Sequence, residues 1–163
     1  MIIGDTSKIA VQLEYIIDLL SPSGMFNFII DEELIPGKGT VTDLYTVITF
    51  LKTSLIEGKQ RLKVNLITDI GNIPLSNLDF SDGGHESLIY LDLGELANRG
   101  QVFYLGFDGE EERLIFSLDN EETYQEKRYP RGTIEQLINS LPEPSNLRII
   151  RKNQMITTTD VVY

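Results

Sequence analysis

The sequence predicts an α+β fold: a mainly antiparallel β-sheet with a meander in the C-terminal half, packed by two helices at about 42–57 and 133–141. Three observations carry this expectation. Ile9, Val11, Leu13, Tyr15 and Ile17 share one parity while Gln12 and Glu14 hold the other, the period of a half-buried strand. Asp108-Gly109 and Asp119-Asn120 punctuate three β-rich runs in the manner of hairpin turns. Two stretches switch to helical spacing: Leu44, Val47, Ile48, Leu51 and Leu55 in one, Ile134, Leu137, Ile138 and Leu141 in the other.

Taken in order, the first strand covers residues 8–17. After the Ser-Pro-Ser-Gly turn at 21–24, residues 25–30 are aromatic and β-branched and form a second strand that closes in the acidic turn Asp31-Glu32-Glu33. Residues 34–39 are loop, with Pro36 leaving at best a short edge strand. The first helix opens near Thr40 or Thr42, where Thr40 and Asp43 resemble a capping pair, and Gly58 is its expected stop. Its apolar stripe is read as core. Leu62, Val64 and Leu66 alternate with Lys63 and Asn65 and predict a third strand. Residues 69–84 make a long irregular connection, a kind often functional or mobile. Residues 87–91 form an apolar run of undecided type, and 94–100 a turn of helix closed by Gly100. The meander then spans 101–107, 112–118 and 123–128. Pro130-Arg131-Gly132 stops it, and Thr133 to Gln136 has the spacing of a capping box. Pro142 and Pro144 end the second helix, leaving 147–150 and 156–163 as β-prone pieces. No linker is long enough to divide the chain, so one domain over 1–163 is expected.

Composition narrows the function. The 163 residues carry 14 Lys and Arg against 25 Asp and Glu, a formal net charge of −11. That sign argues against a nucleic-acid binder, which gains affinity by neutralising phosphates, and against anionic membrane surfaces. With 41% hydrophobic and 24% charged residues the chain is globular, not disordered. The lack of cysteine removes disulfides, thiolate-bound zinc and thiol catalysis. The N-terminus has no basic region ahead of a long apolar run, and no stretch reaches bilayer length, so a soluble cytoplasmic protein is expected.

No motif points to catalysis. His85 is the single histidine, which excludes a His-rich metal site, and in Asp82-Gly83-Gly84-His85-Glu86 it reads as a loop residue. The run Asp108 to Glu112 lacks the ligand spacing of an EF-hand. No phosphate-cradling glycine loop, dinucleotide fingerprint or nucleophile elbow is present, so no cofactor and no metal are expected. The acidic charge is localised instead. Residues 101–125 hold Asp108, Glu110, Glu111, Glu112, Asp119, Glu121 and Glu122 against Arg113 alone, whereas 126–163 are net basic. Acidic turns projecting past a sheet could attract a basic protein. They could equally serve to keep strands soluble and block edge pairing.

Met1-Ile2-Ile3-Gly4-Asp5 leading into the 9–17 strand, Gly24 to Phe28 with Ile35-Pro36-Gly37, and Gln101 to Gly109 together resemble bacterial immunity proteins. These are the small antidotes of polymorphic toxins, including contact-dependent growth inhibition (CdiI-like) systems, and the resemblance covers roughly residues 1–142. It implies a binding protein with no catalytic residues to carry over. The implied partner is a cognate toxin C-terminal domain, often a nuclease, covered in a one-to-one complex, with neither nucleic acid nor membrane as partner. On that basis Asp108, Glu110, Glu111, Glu112, Glu121 and Glu122 are expected on the toxin-facing surface, with Tyr104 and Tyr124 as aromatic anchors. Two alternatives stand beside this one: a small hydrolase using two carboxylates within 69–95, and a non-enzymatic regulatory module of a larger assembly.

Overall fold

The N-terminal residues left unassigned by periodicity pair as a strand. β1 (Ile2–Asp5) runs antiparallel to β2 (Ile9–Asp18), and β2 antiparallel to β3 (Pro22–Ile30). The computed structural model describes residues 1–18, 21–37, 41–153 and 155–161. Its contacts group into two compact units, Met1–Thr49 with Leu137–Tyr163, and Phe50–Gln136.

In the first unit the alternation of β2 becomes an apolar face. Ile9, Val11 and Leu13 stand opposite Ile30, Phe28 and Phe26, and all six are buried. Phe26 and Phe28 meet edge to face at 5.5 Å. On the opposite parity the buried Asn27 donates to Gln12 Oε1 (3.0 Å) and accepts from the Gly37 amide (2.9 Å), so its desolvation is offset. Asp31 and Glu32, both at positive φ, turn the chain into the short edge strand β4 (Glu33–Ile35). β5 (Val41–Asp43) pairs with the other half of β3 and leads into α1 (Leu44–Val64). The helix cap differs from the predicted pair. Asp43 is itself the cap, its Oδ1 accepting from the Thr46 amide at 2.9 Å and its Oδ2 from Ser21 Oγ at 2.5 Å. Thr40, with Lys38 and Gly39 of the expected loop, lies outside the described residues.

α1 runs past Gly58 and absorbs the predicted strand at 62–66. Its true end is a Schellman turn: Leu66 takes φ 52°, Ile67 N donates to Leu62 O (3.0 Å) and Leu66 N to Lys63 O (3.4 Å). The glycine is needed for another reason. A Cβ at residue 58 would lie 2.3 Å from Cγ2 of Ile89, so the missing side chain lets a strand cross the helix closely.

That strand is β6 (Ile89–Leu91), the edge of an antiparallel sheet in the second unit ordered β6, β7 (Val102–Asp108), β8 (Glu111–Ser117) and β9 (Gln125–Pro130). The predicted meander is present, and the undecided run at 87–91 becomes its fourth strand. A 3-10 turn (Gly94–Arg99) joins β6 to β7, closed by Gly100 in the left-handed region as expected. Both faces of the sheet are buried, on one side Phe103, Leu105, Leu114 and Phe116 and on the other Tyr104 and Ile115. The second face is covered by the long irregular segment. Ile70, Leu78 and Leu88 cluster with Tyr104 and Ile115, and a Cβ at Gly106 would meet Leu88 and Ile70 at 2.9 and 3.0 Å. The segment that its length marked as functional or mobile is thus a lid of core.

Arg113 of β8 fixes this lid. It is 1% exposed, yet its guanidinium donates to Gly71 O (2.7 Å) and to both Glu126 oxygens (2.9 and 2.7 Å). Burial pushes the Glu126 carboxyl up, but Arg113 and Arg128 outweigh burial and hold it below the usual range.

The chain returns to the first unit through α2 (Thr133–Ser140), a 3-10 turn (Pro144–Asn146) and the hairpin β10 (Leu147–Lys152) and β11 (Met155–Val161). Thr159 Oγ1 accepts from the Tyr15 amide (2.9 Å), joining the hairpin to β2. Val162 and Tyr163 of the predicted tail strand lie outside the described residues.

Gly58→Ala should lower stability by about 1–2 kcal/mol: Ala is the better helix former by ~1 kcal/mol, and overpacking against Ile89 costs more. In an Ile89→Ala background the same change should be neutral or stabilising, which a double-mutant cycle of urea midpoints reads directly. Because Glu126 has a lowered folded pKa, its stabilising contribution is present above the unfolded value of ~4.3 and is lost as pH falls through the folded one. Glu126→Gln should therefore flatten the acid limb of the stability curve below about pH 4 while lowering stability at neutral pH.

Candidate partner-binding surface

The expected acidic surface is divided by strand geometry. Successive turns of a meander lie at opposite ends of the strand between them, so the β7–β8 and β8–β9 turns are about 20 Å apart at ~3.4 Å per residue of β8. Asp108 to Glu112 and Glu121 to Glu122 therefore do not form one patch.

At the β7–β8 end most of the charge is neutralised within the chain. Arg128 Nη1 donates to Asp108 Oδ2 and Glu111 Oε2, each at 2.9 Å, while its other nitrogens reach Glu126 Oε1 and Asn72 Oδ1. Arg131 pairs with Asp69 (2.7 Å), donates to Gly109 O and lies 4.4 Å above the Phe107 ring. Two cations of the net-basic stretch 126–163, Arg128 and Arg131, thus meet the acidic turn. Glu110 alone of the acids in this turn has a side chain that makes no hydrogen bond or ion pair among the described residues; its carbonyl accepts from the Arg131 amide (2.8 Å).

Two expected surface residues are buried, and their assignment is corrected. Glu112 is 1% exposed, and its carboxylate accepts from the Gly132 amide (2.8 Å) and the Ile134 amide (2.7 Å). It is the N-terminal anchor of α2, a role the sequence assigned to a Thr133–Gln136 box; the Thr133 hydroxyl instead donates to Pro130 O. Burial pushes the Glu112 carboxyl up, against the pull of those two amides. Tyr104 is 2% exposed and sits in the core cluster, with its pKa pushed up to about 12 by burial and by Glu121. A side chain so enclosed cannot anchor a partner.

The β8–β9 end keeps its charge. Asn120 and Glu121 turn at positive φ, Asp119 accepts from Ser117 Oγ, Thr123 N and Thr123 Oγ1, and Glu121 Oε1 accepts from the Tyr124 hydroxyl at 2.8 Å. No Lys or Arg pairs with Asp119, Glu121 or Glu122 among the described residues. Tyr124 is half-buried, stacked on Phe80 with centroids 3.7 Å apart, and leaves one edge to solvent.

An open cleft adjoins this end and a second lies beside it, and sequence reasoning missed both. One, about 520 Å³, is lined by Phe80, Asp82, Tyr90, Tyr104 and Glu121 among others. The other, about 550 Å³, has Glu57, Arg61, Glu86, Tyr90 and Asp92. Tyr90 and Gly83 belong to both. Tyr90 was legible only as one residue of an undecided apolar run; the β6–β7 register places it opposite Tyr104 on the edge strand, where it is 38% exposed. The carboxylates of the proposed hydrolase segment serve the fold in part: Asp69 holds Arg131, Asp79 Oδ1 accepts from Ser81 N and Asp92 Oδ1 from Gly94 N. Among the described residues no group of three or more His, Cys, Asp or Glu is arranged to hold a metal ion, and no helix is long and apolar enough to cross a membrane.

Glu112→Ala should cost about 1–3 kcal/mol in chemical denaturation, because two amides at the start of α2 lose their acceptor. With a raised folded pKa, Glu112 contributes stability that is full below the unfolded value near ~4.3 and declines as pH rises through the folded one. The stability of the wild type relative to Glu112→Gln should therefore fall over that window.

Comparison with known proteins agrees with this architecture. The CdiI protein from Burkholderia dolosa AUO158 superposes with a TM-score of 0.54 at 13% identity, over 85% of this chain and 96% of that one. At that identity the likeness is one of fold. No curated protein sequence matches the chain. The family model described as Immunity protein 42 matches residues 1–144, and the chain belongs to that immunity protein family.

Proposed function

We propose that this chain neutralises a cognate toxin domain by binding it one to one in the cytoplasm, with residues 1–163 acting as one immunity-type domain and no turnover of a substrate. Family membership supports the inhibitor role. The single observation that carries the choice of surface is the contrast between the two ends of the meander. At one end Arg128 and Arg131 occupy the carboxylates; at the other Asp119, Glu121 and Glu122 face solvent without a cation.

An uncompensated acidic end is suited to a partner whose own surface is basic. A cleft built to hold phosphates offers such a surface, so a nuclease is the favoured toxin class. In this reading Glu121, Glu122 and Tyr124 contribute to the toxin-facing surface, and Asp108, Glu110 and Glu111 stay outside it or at its rim.

The test is the rate of association with the toxin domain encoded beside this chain, measured at low and high salt. Glu122→Lys should slow association by several-fold at low salt, with the difference shrinking as salt screens it. Glu110→Lys, the same change at the opposite end, should have the smaller effect. Unchanged rates and salt dependence for Glu122→Lys would show that the acidic end is not where the toxin docks.

A further inference from the structure

We propose that the two clefts flanking Tyr90 form one bipartite receptor for a pair of basic side chains on the toxin domain, one seated on each side of the ring. This rests on the toxin-binding reading above and adds the recognition chemistry. Tyr90 lies at the edge strand β6 on the same face as Tyr104, where the covering segment leaves it 38% exposed, with its ring against Tyr104 at 5.7 Å. Its hydroxyl makes no hydrogen bond among the described residues. Burial, Asp92 and Glu121 all push its pKa up, so carboxylates from both clefts act on the same phenol.

The lining is predominantly acidic. Asp82 and Glu121 belong to one cleft, Glu57, Glu86 and Asp92 to the other. Arg61 in the second cleft keeps its charge but is held in place, Nη1 donating to Glu86 O and Nη2 to Leu88 O, each at 2.7 Å, and the three carboxylates there outnumber it. Gly83, at φ 91°, lines both clefts and has open space where a Cβ would be, so no side chain of that residue stands at their junction. An accessible phenol ring bordered by carboxylates on two sides is matched by guanidinium or ammonium groups, which gain both ion pairing and cation–π attraction. A neutral or acidic partner would leave the carboxylates desolvated and unpaired.

Two measurements test this. In the first, the isotope-labelled chain is titrated with the tripeptide Arg-Gly-Arg and followed by NMR. Saturable shifts should centre on Gly83, Tyr90, Asp92 and Glu121, and weaken at least about fivefold in the double variant Glu57→Gln/Asp82→Asn, whose Asn tolerates the positive φ of residue 82. Shifts centred on the Asp108 to Glu111 turn, or equal affinity in the variant, would overturn the proposal. In the second, the toxin domain encoded beside the chain is bound to wild type, to Tyr90→Phe and to the double variant. The double variant should lose at least about fivefold in affinity and Tyr90→Phe less, because the ring remains. If wild type binds and the double variant binds equally, the receptor is refuted while toxin neutralisation stands. If wild type itself does not bind, the toxin-binding reading fails and the receptor fails with it.

Discussion

Two adjacent charges at the start of β8 organise the second unit. Glu112 and Arg113 follow one another on a strand, so they point to opposite faces, and each is 1% exposed. Leaving either unpaired would cost several kcal/mol, so each face of the sheet must bring it a partner. On one face the partner is the start of α2, whose amides are donors with no helical acceptor of their own. On the other it is Glu126 together with a carbonyl from the irregular segment. The helix and the lid are therefore positioned by the same two residues that a composition count enters as one acid and one base.

The same pairing logic decides what remains for a partner. β9 is an edge strand, and its Arg128 meets acids from three positions, Asp108, Glu111 and Glu126. Once these are matched, the net charge of −11 is no longer spread as the sequence spreads it. The β7–β8 turn becomes a network of internal ion pairs, worth more to local order than to recognition. Among the described residues Asp119, Glu121 and Glu122 at the β8–β9 turn are left without a cation. A surface of that kind speeds encounter with a basic protein and discriminates against acidic ones, because its desolvation is compensated only by cations.

Much of the fold was legible because it depends on local rules. Period two in residues 9–15, the Asp-Gly and Asp-Asn turns and the apolar spacing of both helices each reported a true element. The failures have definite causes. Gly58 looked like a helix stop because glycine usually is one; here it marks a close crossing by Ile89, a contact 31 residues away in sequence. The helix ended at Leu66 in a left-handed turn made by a residue that rarely adopts it, and no composition signal announces that. The 69–84 segment looked irregular because its apolar residues, among them Ile70 and Leu78, have no period of their own; they are spaced to fit a sheet, not to form one. For the candidate surface, Glu121 and Glu122 were legible as turn residues and Tyr124 was read as the start of a strand, whereas Glu112 and Tyr104 were misread because strand parity does not reveal which face will be covered.

By itself the sequence determined the strands, the turns, the helical stripes and the excess of acid, all of which follow from interactions between near neighbours along the chain. It also carried the family resemblance, which lies in those same segments. Only the tertiary structure decided which carboxylates are consumed and which are left. That choice depends on where Arg113, Arg128 and Arg131 come to rest, and a long flexible cation can reach any of several acids until packing fixes its backbone. The protein's available charge is thus the remainder after folding has matched its internal pairs, a quantity set by distances between residues far apart in the chain.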